Sequence, residues 1–139
     1  MCSPGSASAS PPGTVAWRSS INLQCLDSLN NGYLYTLGCN GGDNQAWYWK
    51  RGSGNSGDKI INSKTGRCLD SNARGSAYTL PCNGGSFQLW TATPTDPKGT
   101  RTWKIQNKAT GRCLASTLSD KPFTIPCLKS SPIQGWIEL

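Results

Sequence analysis

The chain contains no histidine and only one glutamate, Glu138. Without histidine, the Ser-His and Cys-His pairs that activate a nucleophile cannot form, so this route to hydrolysis is excluded. A glycosidase needs two carboxylates about 5 to 9.5 Å apart, and a chain with a single glutamate does not favour that chemistry. We therefore predict that the protein is not an enzyme and uses no cofactor.

Long apolar runs are also missing. No stretch of 18 apolar residues occurs, so no transmembrane segment is predicted. Basic residues form no run interleaved with aromatic residues, so we expect no nucleic-acid partner. The formal net charge of +7, from 14 Lys and Arg against 7 Asp and Glu, is compatible with an anionic glycan or partner and also with a merely solvated surface.

What the chain does contain is a threefold repeat. Its skeleton is Cys-Leu-Asp, then Tyr-Thr-Leu-Pro-Cys-Asn-Gly-Gly, then Gln-x-Trp, complete in residues 66–90 and altered in the other two copies. Each copy places two cysteines 14 residues apart, and successive first cysteines are 43 and 45 residues apart, at Cys25 and Cys39, Cys68 and Cys82, and Cys113 and Cys127. The copies cover approximately residues 15–50, 59–90 and 103–139, so residues 14–139 are predicted to form one domain.

Each repeat consists of short apolar pieces separated by Gly, Asn and Ser turns, and no window has a sustained helical period. Three such units bury their apolar faces only by closing on one another. The prediction is an all-β fold, a β-trefoil of three repeats of about 43 residues. A three-bladed propeller is a poor alternative because natural propellers start at about four blades. Three equivalent positions, each eight residues before a first cysteine, are expected in the core: Trp17, Ile60 and Ile105.

Seven cysteines in so short a chain indicate an oxidising compartment, so we expect a secreted, extracellular protein. The equivalence of the repeats selects one disulfide inside each repeat, between Cys25 and Cys39, Cys68 and Cys82, and Cys113 and Cys127. Zinc is the alternative for spaced cysteines. It is excluded because the chain has neither histidine nor a Cys-x-x-Cys pair, and we predict no metal site.

Residues 1–13 are small and rich in Ser and Pro, and they are predicted to form a flexible N-terminal tail. Cys2 is left over from the pairing. Followed by this tether, it resembles the start of a mature bacterial lipoprotein, which would make it the site of a lipid anchor. A free thiol, a disulfide to another chain and a cloning remnant remain open.

The Gln-x-Trp signature, repeated with paired cysteines ahead of each copy, resembles that of the ricin-type β-trefoil lectins. The longer string in repeat two, with LDSN, YTLPCNGG and Gln-x-Trp, is more similar to the actinohivin-like mannose-binding lectins. The resemblance implies a carbohydrate-binding lectin for mannose-rich glycans. Galactose-type glycans stay open, because ricin-type sites often prefer galactose on an aromatic platform, where this chain has Leu37 and Leu80.

In the resembling lectins, an Asp, a Tyr and an Asn hydrogen-bond a mannose while a Leu packs against it. These residue types recur at the same offsets in repeats one and two, at Asp27, Tyr35, Leu37 and Asn40, and at Asp70, Tyr78, Leu80 and Asn83. A carboxylate suits the acceptor role because charge-assisted hydrogen bonds are short and strong. Structural roles are the alternative: a turn-capping aspartate, a packed tyrosine and a left-handed asparagine. The signature glutamines and tryptophans are expected to pack in the core, with each glutamine paired to the backbone.

Repeat three departs from this pattern. Ala115, Phe123 and Leu128 stand where the Asp, Tyr and Asn are expected. We therefore expect two sugar sites and a degenerate third, whose apolar residues could instead meet a protein partner.

Two further expectations concern repeat one. Its first hairpin should be shaped differently, because Leu23 replaces the turn glycine. Its extra aromatic residues, Tyr48 and Trp49, either extend the first site or merely pack.

These observations leave a second function open. The protein could be an adaptor or targeting subunit of a larger secreted complex, such as a toxin or a cell-surface assembly. In that case residues 1–13 would dock into the partner, and the lectin domain would be presented to a glycan. The two functions are compatible with each other.

Overall fold

The structure is a computed structural model that describes residues 12–49, 57–95, 101–129 and 131–139. Residues 1–11, which include Cys2 and most of the predicted tail, lie outside the described residues. The strands within the described ranges are β1 (Thr14–Val15), β2 (Trp17–Ser19), β3 (Cys25–Ser28), β4 (Leu34–Leu37), β5 (Trp47–Trp49), β6 (Ile60–Asn62), β7 (Cys68–Ser71), β8 (Ala77–Leu80), β9 (Trp90–Pro94), β10 (Thr102–Asn107), β11 (Arg112–Ala115), β12 (Phe123–Pro126) and β13 (Trp136–Glu138). Short 3₁₀ helices precede the last strand of each repeat, at Asp43–Gln45, Ser86–Gln88 and Pro132–Gln134.

The strand pairings close a barrel. Going round it, β1 pairs with β5, β5 with β6, β9 with β10, and β10 with β13. A bridge between Asp58 and Trp90 links the start of repeat two to β9, and β13 returns to β2. Three hairpins, β3–β4, β7–β8 and β11–β12, are added to this ring, one from each repeat. The predicted all-β trefoil of three repeats is confirmed.

Neighbouring repeats are also joined through the tips of these hairpins. A backbone carbonyl in each hairpin tip accepts a hydrogen bond from a threonine amide of the next repeat, and the third tip returns to the first repeat. The three bonds run from Thr79 N to Gly32 O (3.0 Å), from Thr124 N to Gly75 O (2.8 Å) and from Thr36 N to Asp120 O (2.8 Å). The three hairpins, which we call cap hairpins, therefore form a ring of their own that holds each hairpin in place.

The core follows the repeat. The three positions predicted to be equivalent are fully buried, at Trp17, Ile60 and Ile105. Each signature tryptophan is buried as well, and its indole nitrogen donates to the backbone oxygen of the leucine that follows the first cysteine. These bonds are Trp47 to Leu26 (3.0 Å), Trp90 to Leu69 (2.9 Å) and Trp136 to Leu114 (3.0 Å). The tryptophan thus fastens the cap hairpin of its repeat to the barrel.

The three predicted disulfides are present, one in each repeat: Cys25 to Cys39, Cys68 to Cys82, and Cys113 to Cys127. Each joins the first strand of its hairpin (β3, β7 or β11) to a cysteine one or two residues beyond the second strand (β4, β8 or β12). They therefore fix the hairpin on which the candidate sites lie. In the chain-entropy model, closing a loop of this length is worth about 3 kcal/mol.

The expectation that the first hairpin differs in shape is wrong. Leu23 adopts a positive φ of 60°, close to the 70° of Gly66 and the 71° of Gly111. The amide of Leu23 makes the same turn hydrogen bond, to Ser19 O at 3.0 Å. The turn geometry is set by the strands on either side of it, and the leucine is held in a conformation that glycine adopts without strain.

Candidate functional site

The two aspartates predicted to bind sugar lie on the cap hairpins, directly after the Cys-Leu pair. Asp27 in β3 and Asp70 in β7 are 2% and 3% exposed. Gln45 Nε2 donates to Asp27 Oδ2 at 3.1 Å, and Gln88 Nε2 donates to Asp70 Oδ2 at 2.9 Å. The signature glutamine therefore holds the carboxylate in one orientation, a role that the sequence reasoning missed.

The backbone fixes these glutamines in turn. The Gln88 side-chain oxygen accepts from Asn83 N at 2.8 Å, and its nitrogen also donates to Pro81 O at 3.0 Å. Gln45 makes the same two bonds in repeat one, at 2.9 and 3.0 Å. The expected pairing of glutamine with the backbone is confirmed. Because every polar atom of the glutamine is engaged, the carboxylate that it contacts is preorganised.

Burial dominates the electrostatics of both aspartates. It raises the pKa of the Asp27 carboxyl, and the neighbouring Gln45 and Tyr35 side chains oppose the rise. Burial likewise raises the pKa of Asp70, against the effect of Gln88. Among the described residues no hydrogen bond of normal geometry reaches Asp27 Oδ1, although the Tyr35 hydroxyl is near enough to influence the carboxyl. A buried oxygen without a partner is an acceptor that a ligand hydroxyl could satisfy.

The predicted tyrosines stand directly opposite the aspartates. Asp27 pairs with Tyr35 across β3 and β4, and Asp70 pairs with Tyr78 across β7 and β8. Burial and then the adjacent carboxylate raise the pKa of both phenols. The hydroxyls therefore stay protonated at neutral pH, and each site offers a phenol donor beside a carboxylate acceptor.

Leucine and asparagine complete each set. Leu37 and Leu80 follow two positions after the tyrosines and are 43% and 38% exposed, so each presents an apolar surface next to the polar groups. The asparagines have a structural role of their own: Asn40 Oδ1 accepts from Gly42 N at 2.7 Å, and Asn83 Oδ1 accepts from Gly85 N at 2.8 Å. This contact leaves the side-chain amide nitrogen as the group that could serve a ligand.

The four residues predicted in repeat two line one open cleft of about 270 Å³. Asp70, Tyr78, Leu80 and Asn83 share it with Phe87, among others. Sequence reasoning missed Phe87, although an exposed aromatic residue directly before a buried glutamine was a usable signal. Repeat one has Asn44 at that position, and its side-chain nitrogen donates to Ser28 O at 2.7 Å. The two sites therefore share an acid, a phenol, a leucine and an asparagine but differ at the position of Phe87 and Asn44.

Repeat three keeps the frame without the acid. Gln134 still binds Leu128 N at 2.7 Å and Pro126 O at 2.9 Å. Ala115, in the position of the aspartates, is fully buried and offers no acceptor. Phe123 is only partly exposed, whereas Leu128 is 44% exposed. The third position thus lacks the polar groups of the other two.

The extra aromatic residues of repeat one both line one cleft but differ in their packing. Trp49 packs edge-to-face against Trp17 and Trp103, with ring centroids 5.1 Å away in each case. Tyr48 is exposed and lines a cleft that contains none of the residues predicted for the first site.

Within the described ranges, no group of three or more Cys, Asp or Glu side chains gathers to hold a metal ion. No helix in the same ranges has the length and hydropathy to cross a membrane.

The sequence model of the family described as ricin-type beta-trefoil lectin domain-like matches residues 43–124, which is more than half of the chain. The chain belongs to this ricin-type β-trefoil lectin-like family. Membership supports carbohydrate binding as the general activity of the domain. No curated protein gives a significant match to the chain.

Solved structures with low sequence identity share the fold of this lectin-like domain. SeviL, solved with an asialo-GM1 saccharide, is 14% identical, with a TM-score of 0.73 over 91% of this chain and 96% of SeviL. The cytolethal distending toxin of Haemophilus ducreyi is 16% identical, with a TM-score of 0.72 over 90% of this chain and 81% of the matched toxin chain. The exo-beta-1,3-galactanase 1,3Gal43A of Clostridium thermocellum is 22% identical, with a TM-score of 0.78 over 93% of this chain but only 30% of the galactanase.

Proposed function

We propose that the protein is a secreted, non-catalytic lectin that binds mannose-type glycans through two shallow sites. The sites consist of Asp27, Tyr35, Leu37 and Asn40 in repeat one, and Asp70, Tyr78, Leu80 and Asn83 in repeat two. One observation carries the proposal: the four residues that the repeat pattern selects in repeat two all line a single open cleft.

The chemistry of this cleft suits a pyranose. A carboxylate beside a phenol offers an acceptor and a donor to adjacent hydroxyls, and charge-assisted hydrogen bonds are stronger than neutral ones. The exposed leucine offers an apolar surface to the C–H face of the ring. Leucine at this position favours mannose only through the resemblance to the mannose-binding lectins. Galactose-type glycans are the alternative, and in repeat two the exposed ring of Phe87 lines the same cleft.

Two sites on one small domain also fit a lectin. Shallow sugar sites bind weakly, and engaging two at once can raise apparent affinity by about 10² to 10⁴ without any new contact. The three disulfides support a secreted location, because such bonds persist in oxidising compartments.

A glycan array tests the proposal. The wild-type chain should bind mannose-rich glycans, and the Asp27→Asn/Asp70→Asn variant should lose that binding while remaining folded. Asp120→Asn is the control, since it makes the same Asp-to-Asn change once, on an exposed side chain outside both sites. Unchanged binding by the double variant would show that the sites are wrong. Galactose-type binding that the double variant loses would keep the sites and correct the sugar.

A second candidate function is an adaptor or targeting subunit of a larger secreted complex. The observations that favour it are the fold shared with the Haemophilus ducreyi toxin chain and the loss of polar groups in repeat three. Removing residues 1–13 should then leave sugar binding intact and abolish recovery of a partner from native secretions. If the shortened chain recovers the same partner, the tail is not the docking segment.

A further inference from the structure

A second open cleft, of about 410 Å³, lies where repeat one meets repeat two. We call it the junction cleft and define it by Tyr48, Asp58, Ile61 and Leu89, which are among its lining residues. It shares no residue with the two proposed sugar sites. It lies at the contact between two repeats, which we call a seam. The threefold repeat gives the barrel equivalent seams, and their residues can be compared with those of the junction cleft.

Asp58 breaks the threefold pattern at this seam. It pairs with the signature tryptophan Trp90, just as Val15 pairs with Trp47 and Trp103 pairs with Trp136. Val15 and Trp103 are apolar and pack against the core. The fold therefore accommodates an apolar side chain at this position, and repeat two has a carboxylate there instead.

The carboxylate has no structural explanation within the described residues. Asp58 Oδ2 is buried and has no hydrogen-bond partner there. The backbone of Asp58 is fully used by Trp90, through bonds of 2.9 and 2.8 Å, so these bonds do not depend on the side chain. A buried acceptor without a partner is costly and calls for an explanation, and a bound ligand that donates a hydrogen bond would supply one.

An apolar platform accompanies this acceptor and is also specific to the junction cleft. Tyr48 pairs with Ile61 across β5 and β6, and Tyr48 is 41% exposed. The two equivalent cross-strand pairs are polar or mixed, at Thr91 with Gln106 and at Ile137 with Arg18. The exposed ring and the unpartnered carboxylate oxygen therefore occur together at one seam of the barrel.

The charges around the cleft select the ligand. Lys59 lines the cleft. Lys108 lies close by, because a Cβ atom added to Gly57, another lining residue, would be 2.8 Å from Lys108 Cγ. The whole chain carries a net charge of +7. These charges disfavour a cationic ligand, and Asp58 Oδ2 needs a hydrogen-bond donor, which an ionised carboxylate or a fully ionised phosphate ester does not supply.

We propose that the junction cleft is a further carbohydrate-binding site for a neutral pyranoside, with a sugar hydroxyl donating to Asp58 Oδ2 and the C–H face of the ring lying on Tyr48. The site is separate from those of Asp27 and Asp70 and does not rest on the function proposed for them. Only one such cleft is expected per chain, because Asp58 and Tyr48 have no counterparts in the other repeats.

Amide NMR titration tests this inference on the full chain carrying Asp27→Asn and Asp70→Asn, in which the other sites are silenced. The probes are the methyl pyranosides of mannose, galactose, glucose and N-acetylglucosamine. At least one should shift the amides of Tyr48, Gly57 and Ile61 in a saturable way, with weak, millimolar affinity. Adding Asp58→Val should weaken this binding at least tenfold, and so should adding Tyr48→Thr, whereas adding Asp120→Asn should not.

Thermal unfolding supplies a second readout. Asp58→Val places at this position the residue that repeat one has, so Tm should rise by about 3 °C or more while sugar binding is lost. A fall in Tm would show that Asp58 has a structural partner and would overturn the inference. The inference would also be overturned if a glycoside shifted these amides equally with and without Asp58→Val, or if no glycoside shifted them at all. Shifts produced only by N-acetyl-lysine methylamide or N-acetyl-leucine methylamide would replace the sugar with a peptide ligand.

Discussion

Replacing Asp70 with alanine should strongly weaken sugar binding at the second site and cost little stability. The experiment starts from a chain that carries Asp27→Ala, so that only the second site is active. A hydrogen bond to a charged group contributes about 1.5 to 3 kcal/mol, so its loss should weaken binding about 10- to 150-fold. Isothermal titration with a mannose disaccharide measures this change.

The small effect on stability follows from the contacts of Gln88. After the substitution, Gln88 still donates to Pro81 O and accepts from Asn83 N. Repeat three already has this arrangement, with buried Ala115 beside Gln134. The cost should therefore be about 1 kcal/mol or less, because the lost hydrogen bond is offset by removal of a buried carboxylate.

Differential scanning calorimetry checks that number. For a domain of this size, a loss of about 1 kcal/mol lowers Tm by about 3 to 5 °C. A fall of more than about 10 °C, well beyond that conversion, would mean that Asp70 holds the fold together, and any loss of binding would then say nothing about the site. Unchanged affinity in a stable variant would refute the role of the carboxylate directly.

Two further predictions concern the turn and the acids. Leu23→Gly should stabilise the chain by about 1 kcal/mol, because it relieves a left-handed leucine that costs about 1 to 2 kcal/mol. A denaturant midpoint that falls would show that the exposed side chain makes a contact worth more than the strain. Acidification should weaken sugar binding as Asp27 and Asp70 take up protons, starting above pH 3.8, their ordinary pKa, because burial raises both pKa values. The folded state then binds protons more readily than the unfolded state, so these two groups should add stability as pH falls through that window. Affinity that stays constant down to pH 3.8 would contradict the acceptor role.

The repeat made much of the fold predictable. Once the copies were aligned, equivalence selected the three disulfides, and it also selected the buried set at Trp17, Ile60 and Ile105. These features depend only on positions that every copy shares. The turn at Leu23 was mispredicted for the opposite reason: the residue type suggested a different shape, but the surrounding strands impose the same one.

What the sequence could not supply depends on how the repeats meet. The bond from Gln88 to Asp70 joins residues 18 apart and exists only because the hairpin folds back over the 3₁₀ turn. Phe87 becomes part of the cleft by the same folding. The repeat places Asp58 at the same offset as Val15 and Trp103, ten residues before each first cysteine. That its oxygen is buried without a partner appears only when the pairing register places it beside Trp90.

The three repeats separate the residues that hold the fold from those that could serve a ligand. In every copy the glutamine binds two backbone groups and the tryptophan indole binds a leucine carbonyl, so the frame is complete without an acid. Repeat three demonstrates this, since Ala115 fills the position without loss of those bonds. An aspartate there is therefore not needed for folding, and burial makes it costly, as the raised pKa values of Asp27 and Asp70 indicate. A costly group that the frame does not require is best explained by a ligand. The same reasoning applies to Asp58, which is an acid at a position where the other two repeats have apolar residues.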